Sequence, residues 1–118
     1  MINYNDLSAF TQGYVDAIFF TFDDNLAPDL GFYDLSEKAL AMILIDCTGF
    51  ELLNKNLLEQ AGTPEQNGHD FWLTRNHHGA GFWDRGYTKE IAGALTDAAH
   101  KYKEQSLIAG DDGLLYLE

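Results

Sequence analysis

Residues 68–86, "GHDFWLTRNHHGAGFWDRG", hold both tryptophans, three of the four histidines, both arginines and four of the eleven glycines. How this stretch folds decides how the rest of the chain is read. Its residues alternate between aliphatic or phenylalanine side chains and polar or indole ones, a period-2 pattern that predicts strands at 70–75 and 80–85. Asn76-His77-His78-Gly79 would join them as a hairpin. One face then carries Phe71, Leu73, Ala80 and Phe82 and lies against the body of the molecule. The other carries Asp70, Trp72, Thr74, Gly81, Trp83 and Arg85, with the indoles paired across the strands and Asp70 opposite Arg85 as an ion pair.

Outward from the hairpin the chain reads as helices. Leu7, Phe10, Tyr14, Ala17 and Ile18 have helical spacing, with Asn5 or Asp6 as N-cap. Residues 23–34 mark a loop through their Asp, Asn, Pro and Gly content. A second helix starts at Asp34 or Ser36, with Glu37 placed for a capping box from Asp34. Its stripe is Leu40, Ile43, Leu44, Cys47, Phe50 and then Leu53 or Leu57, with Gly49 weakening it locally.

"EQAGTPEQNGH" reads as a polar connector. Thr88 caps a third helix carrying Ile91, Leu95, Ala98 and Tyr102, and "SLIAGDDGLLYLE" reads as two strands around the turn 110–113. The expected fold class is therefore α+β: about three helices packed on a small antiparallel sheet, in a single domain covering residues 1–118.

The bulk composition narrows the function. Nineteen acids against seven bases give a net charge of −12, a field that repels nucleic acid and anionic membranes and suits a basic protein partner. Asp23, Asp24, Asp29, Asp34, Asp111 and Asp112 would supply that negative surface. The lone Cys47 lies among apolar residues and reads as a buried thiol in a reducing compartment. The first residues lack a signal-peptide pattern and no apolar run reaches the length of a membrane span, so a cytoplasmic location is expected.

The dense segment offers two kinds of site. Trp72, Trp83 and the loop Asn76–Gly79 could anchor a protein partner, because interface hot spots favour Trp and Arg. Alternatively, Arg75 and Arg85 with Asn76, His77 and His78 could hold a nucleotide or small anion, with an indole stacked on a base and Asp70 or His78 moving a proton. His69, Asp70, His77 and His78 match no standard metal-ligand spacing, and Thr74 and Thr88 lie on no nucleophile elbow. No catalytic set, metal or cofactor is expected.

The same nineteen residues resemble a family of small, functionally uncharacterised proteins of tailed bacteriophages and prophages, whose members carry a stretch close to "GHDFWLTRNGHGAGFWDRG". The likeness extends loosely to "GYVDAIFFT", to Asp46, Cys47 and Phe50, and to the "GDDG" turn. His77 departs from the pattern, which has glycine there, and so asks a histidine to adopt a positive φ if the turn is kept. The resemblance implies a phage origin rather than a catalytic mechanism, and small acidic phage proteins of this size are often accessory factors. By analogy of class, such proteins bind host proteins, as anti-CRISPR and antirestriction inhibitors do, some by imitating DNA with carboxylates. The apolar helix faces leave homodimerisation open.

Overall fold

Thr63 and Pro64 begin a helix where the sequence pattern predicts a polar connector and then a strand. The computed structural model describes residues 2–22 and 29–118. Its elements in chain order are α1 (Ala9–Thr21), α2 (Glu37–Leu53), α3 (Lys55–Glu59), α4 (Pro64–Arg75), α5 (Lys89–His100), β1 (Leu107–Ala109) and β2 (Leu115–Leu117). Single 3-10 turns lie at Tyr4–Asp6, Phe32–Asp34 and Phe82–Asp84. Among the described residues the fold is thus five helices and one two-stranded antiparallel ribbon. The expected hairpin at 70–85 does not form, and three helices on a sheet is not the architecture.

The local chemistry explains where each helix starts. Ser8, Ser36, Thr63 and Thr88 are the N-caps of α1, α2, α4 and α5, each hydroxyl accepting from the backbone N–H three residues on. Ser36 and Thr88 are caps the sequence predicts. Asn5 and Asp6 instead sit in the first 3-10 turn, and Asp34 accepts from the Gly31 N–H rather than boxing α2. Pro64 at the first position of α4 has the φ a helix needs and no N–H to strand.

Helix α4 is the centre of the molecule. Asn67, Gly68 and every residue from Asp70 to Arg75 are buried, so no polar face remains to give the helix a periodic stripe. Its closest neighbour is α1. The backbones touch at two glycines: a Cβ on Gly68 would fall 1.8 Å from the Phe10 carbonyl oxygen, and one on Gly13 would fall 1.9 Å from that of Glu65. Only hydrogen fits at either place.

That crossing lets the aromatic rings interlock. Phe71 stacks on Phe50 of α2 at 4.0 Å and meets Tyr14 of α1 at 5.2 Å and Tyr102, just past α5, at 5.0 Å. Cys47 is buried beside Thr11, and burial pushes its thiol pKa well up.

The C-terminal strands pair as predicted, with Leu107 opposite Leu117 and Ala109 opposite Leu115 around the 110–113 turn. A bridge from Leu35 to Leu115, with the Ser36 N–H donating to the Leu115 carbonyl at 2.8 Å, ties the ribbon to the start of α2. Among the described residues no helix is long and apolar enough to cross a membrane.

Candidate functional site

Because α4 is helical, the predicted two-sided platform is replaced by side chains radiating from a buried axis. Arg75 points inward from the last turn of α4 and is 2% exposed. Its guanidinium donates to Asp46 Oδ2 at 2.8 Å, to the Tyr14 hydroxyl at 3.0 Å, and through Nε and Nη2 to the Lys103 carbonyl. It also lies over the rings of Phe71 and Tyr102. One planar fork therefore joins α1, α2, α4 and the segment after α5.

Asp70, one turn earlier, is fully buried. Arg85 grips it from the loop after the Phe82–Asp84 turn, with Nε 3.1 Å from Oδ2 and Nη2 2.8 Å from Oδ1, and Gln66 Nε2 donates to Oδ1. The hydrogen bonds to Asp70 raise the Arg85 pKa, against an opposing contribution from burial. The sequence places Asp70 opposite Arg85, and the structure brings them together, but as the pin holding a loop onto a helix rather than as a strand pair.

The tryptophans part company. Trp72 is buried edge-on to Tyr14, and its indole N–H donates to Thr21 Oγ1 at 2.9 Å. Trp83 stands in the 3-10 turn and is 43% exposed. They form no pair, and Phe71 does not lie on a face opposite them.

The polar residues after α4 build its C-terminus. Asn76 accepts the Gln105 N–H at 2.8 Å and donates to the Trp72 carbonyl. His77 has φ +56; its N–H donates to the Thr74 carbonyl and that of His78 to the Leu73 carbonyl, the 5→2 and 6→1 pattern of a Schellman cap. His77 thus takes the positive φ that a tight turn would have asked of it, but it closes a helix instead of a hairpin. The His77 ring stacks on His100 at 4.2 Å and its Nε2 lies 3.7 Å from Glu104. His78 is exposed. Thr74 is fully buried, and its hydroxyl accepts the Phe82 N–H. Gly81, at φ +150, must be glycine because a Cβ would fall 2.4 Å from that hydroxyl.

His69 packs near Phe20, with Nδ1 buried and without a hydrogen-bond partner. Among the described residues no group of three or more His, Cys, Asp or Glu side chains could hold a metal ion.

Of the predicted acids, Asp23 and Asp24 lie outside the described residues. Asp29 and Asp111 are exposed. Asp112 accepts from the Leu114 N–H and the Tyr116 hydroxyl, and these bonds, the tyrosine's first, hold its pKa below the usual carboxylate value. The Leu35–Leu115 bridge sets the segment carrying Asp34 beside the ribbon whose turn carries Asp111 and Asp112.

Asp46, Tyr14, Gln66 and Thr21, the partners that hold the motif in place, carry no sequence signal linking them to it. The hydrophobic stripe of α2 likewise says nothing of its opposite face, where Ile45 is 70% and Leu52 72% exposed. Searches against protein-family models, curated proteins and solved structures return no match for this chain.

Proposed function

We propose that the protein is a phage-encoded accessory protein that acts without catalysis in the host cytoplasm, binding a basic host protein through its acidic surface. The phage origin rests on the likeness of residues 68–86 to tailed-phage proteins. The supporting observation for the binding mode is the disposition of the two arginines. Arg75 is buried against Asp46, and Arg85 is locked to Asp70. Arg75 is buried, while Arg85 stays partly exposed and spends Nε and Nη2 on the buried Asp70, so the basic charge without an ion-pair partner among the described residues comes from lysines in a chain of net charge −12.

The nucleotide or small-anion reading has less support: Arg75 and Trp72 are enclosed and Arg85 gives Nε and Nη2 to Asp70, which leaves Trp83, His78 and the outer edge of Arg85 to serve it. A partner whose own surface binds DNA or RNA fits the remaining charge, because carboxylates can take the place of phosphates on such a surface. An anti-defence inhibitor that occupies a host nuclease's nucleic-acid site would have this form.

The test is capture from host lysate on immobilised protein, followed by reconstitution with the purified partner. Binding should fall steeply between about 0.05 and 0.3 M salt. Duplex DNA should compete, and D29K/D111K, at two exposed positions, should weaken binding about tenfold or more. A complex indifferent to salt, DNA and D29K/D111K would overturn the proposal.

A further inference from the structure

Helix α2 buries Ala39, Ile43, Cys47 and Phe50 on one side. On the opposite side Ala41, Ile45, Thr48 and Leu52 follow at intervals of four, three and four, the a/d spacing of a helix–helix seam. All four are exposed, and the strip carries no charge. The solvent side of α5 is charged by contrast, with Lys89, Glu90 and Asp97 exposed beside Gly93, Ala94 and His100. Beside the strip lies an apolar groove of about 350 Å³ lined by Ile2, Phe32, Tyr33, Leu40, Ala41 and Leu44. Ala41 belongs to both.

We propose that this face is the seat of a second copy of the same chain, with the two α2 helices packed antiparallel about a two-fold axis. The strip is complementary to itself in that arrangement. Small and large side chains alternate, so Leu52 of one copy comes opposite Ala41 of the other and the groove beside it. Ile45 comes opposite Thr48, and the two-fold axis repeats each contact. The charges at the two ends agree with this pairing. Glu37, exposed at the start of α2, comes near the other copy's α2 C-terminus, just beyond which the exposed Lys55 opens α3. The two-fold axis makes this ion pair twice.

The flanking charges, Glu37, Lys38, Glu51 and Lys55, balance, unlike the surface as a whole. A basic partner meets no local excess of negative charge here, whereas an identical copy set antiparallel meets opposite charges at the two ends. This contact borders the acidic surface of the proposed function at Asp34, whose neighbours Tyr33 and Leu35 line the groove, but it does not depend on that function.

In this register α2 overlaps its copy over residues 40–53, a seam about 20 Å long that with the groove makes a modest interface, so the dimer should dissociate on dilution. Two copies of charge −12 repel each other, so salt should strengthen the dimer, opposite to its effect on a basic partner.

Sedimentation velocity on the full chain tests this. The mass should rise from 13.2 kDa towards twice that value with concentration. At about 0.1 mM protein it should rise further on going to about 0.5 M salt. I45E/L52E should remain folded by circular dichroism and stay monomeric throughout. E37K should weaken the dimer several-fold, and E37K/K55E should restore it. A chain monomeric at about 0.1 mM in about 0.5 M salt, or a dimer untouched by I45E/L52E, overturns the proposal. A dimer that E37K/K55E fails to restore overturns the antiparallel register.

Discussion

Gly68→Ala is the sharpest perturbation of the α1–α4 crossing. The added Cβ would meet the Phe10 carbonyl oxygen at 1.8 Å and the Tyr14 nitrogen at 2.9 Å, both backbone atoms that no rotamer can move aside. Ordinary contact begins near 3.4 Å, so the two helices must separate by about 1.5 Å. That movement loosens the contacts of Phe71 with Phe10 and Tyr14, and of Trp72 with Tyr14. Overpacking of this kind costs about 3 kcal/mol or more, and the better helix propensity of alanine returns about 1 kcal/mol. A net loss of about 2–4 kcal/mol lowers the melting temperature by roughly 10 °C in a chain of this size.

Gly93→Ala supplies the control. Gly93 lies in α5 with nothing within 4 Å of its would-be Cβ, so the same substitution there should gain about 1 kcal/mol. Urea unfolding followed by far-ultraviolet circular dichroism reads both. If G68A unfolds at or above the wild-type midpoint, the glycine contact between α1 and α4 is refuted.

Other outcomes follow from the geometry. His77 holds φ +56 at the end of α4, so H77G should be more stable than H77A by about 1 kcal/mol in the same urea titration, both variants having lost the stack on His100. Burial, aided by the hydrogen bond and charge of Asp16, pushes the Tyr4 pKa up to about 12 from 10.0. Because the folded value is the raised one, Tyr4 contributes stability below pH 10.0 that is lost as the pH rises towards about 12. Y4F should flatten that part of an alkaline stability profile, and an unchanged slope would contradict the shift.

The helices with one wet face were legible in the sequence. In α5, Thr88 stands where a cap should and Leu95 is buried as expected, but the buried line runs through Ala92 and Ala99 and leaves the expected Ile91, Ala98 and Tyr102 half-buried at its edge. In α2, Ile43, Cys47 and Phe50 keep the period, and the ribbon announced itself through the Gly and Asp of its turn.

Helix α4 was not legible from its periodicity, because a helix enclosed on nearly all sides has no stripe. Phe71, Leu73 and the residues around them then pass for a strand. Its start, however, was written in "TPEQ": a threonine cap, a proline at the first helical position and a glutamine two residues later. The partners of the motif were hidden for a different reason. Asp46 lies 29 residues from Arg75 and Thr21 lies 51 from Trp72, separations that only the folded chain closes. The pairing of Asp70 with Arg85 was legible as two opposite charges, though its burial was not.

The motif with both arginines either builds the molecule or is held ready for a ligand, and the urea midpoint of R75Q distinguishes the two directly. Glutamine leaves Asp46, the Tyr14 hydroxyl and the Lys103 carbonyl without the guanidinium they share. The expected loss is about 3–5 kcal/mol, a large part of the stability of a domain this size. An R75Q protein that unfolds at the wild-type midpoint would contradict the account and return Arg75 to the list of ligand-binding groups.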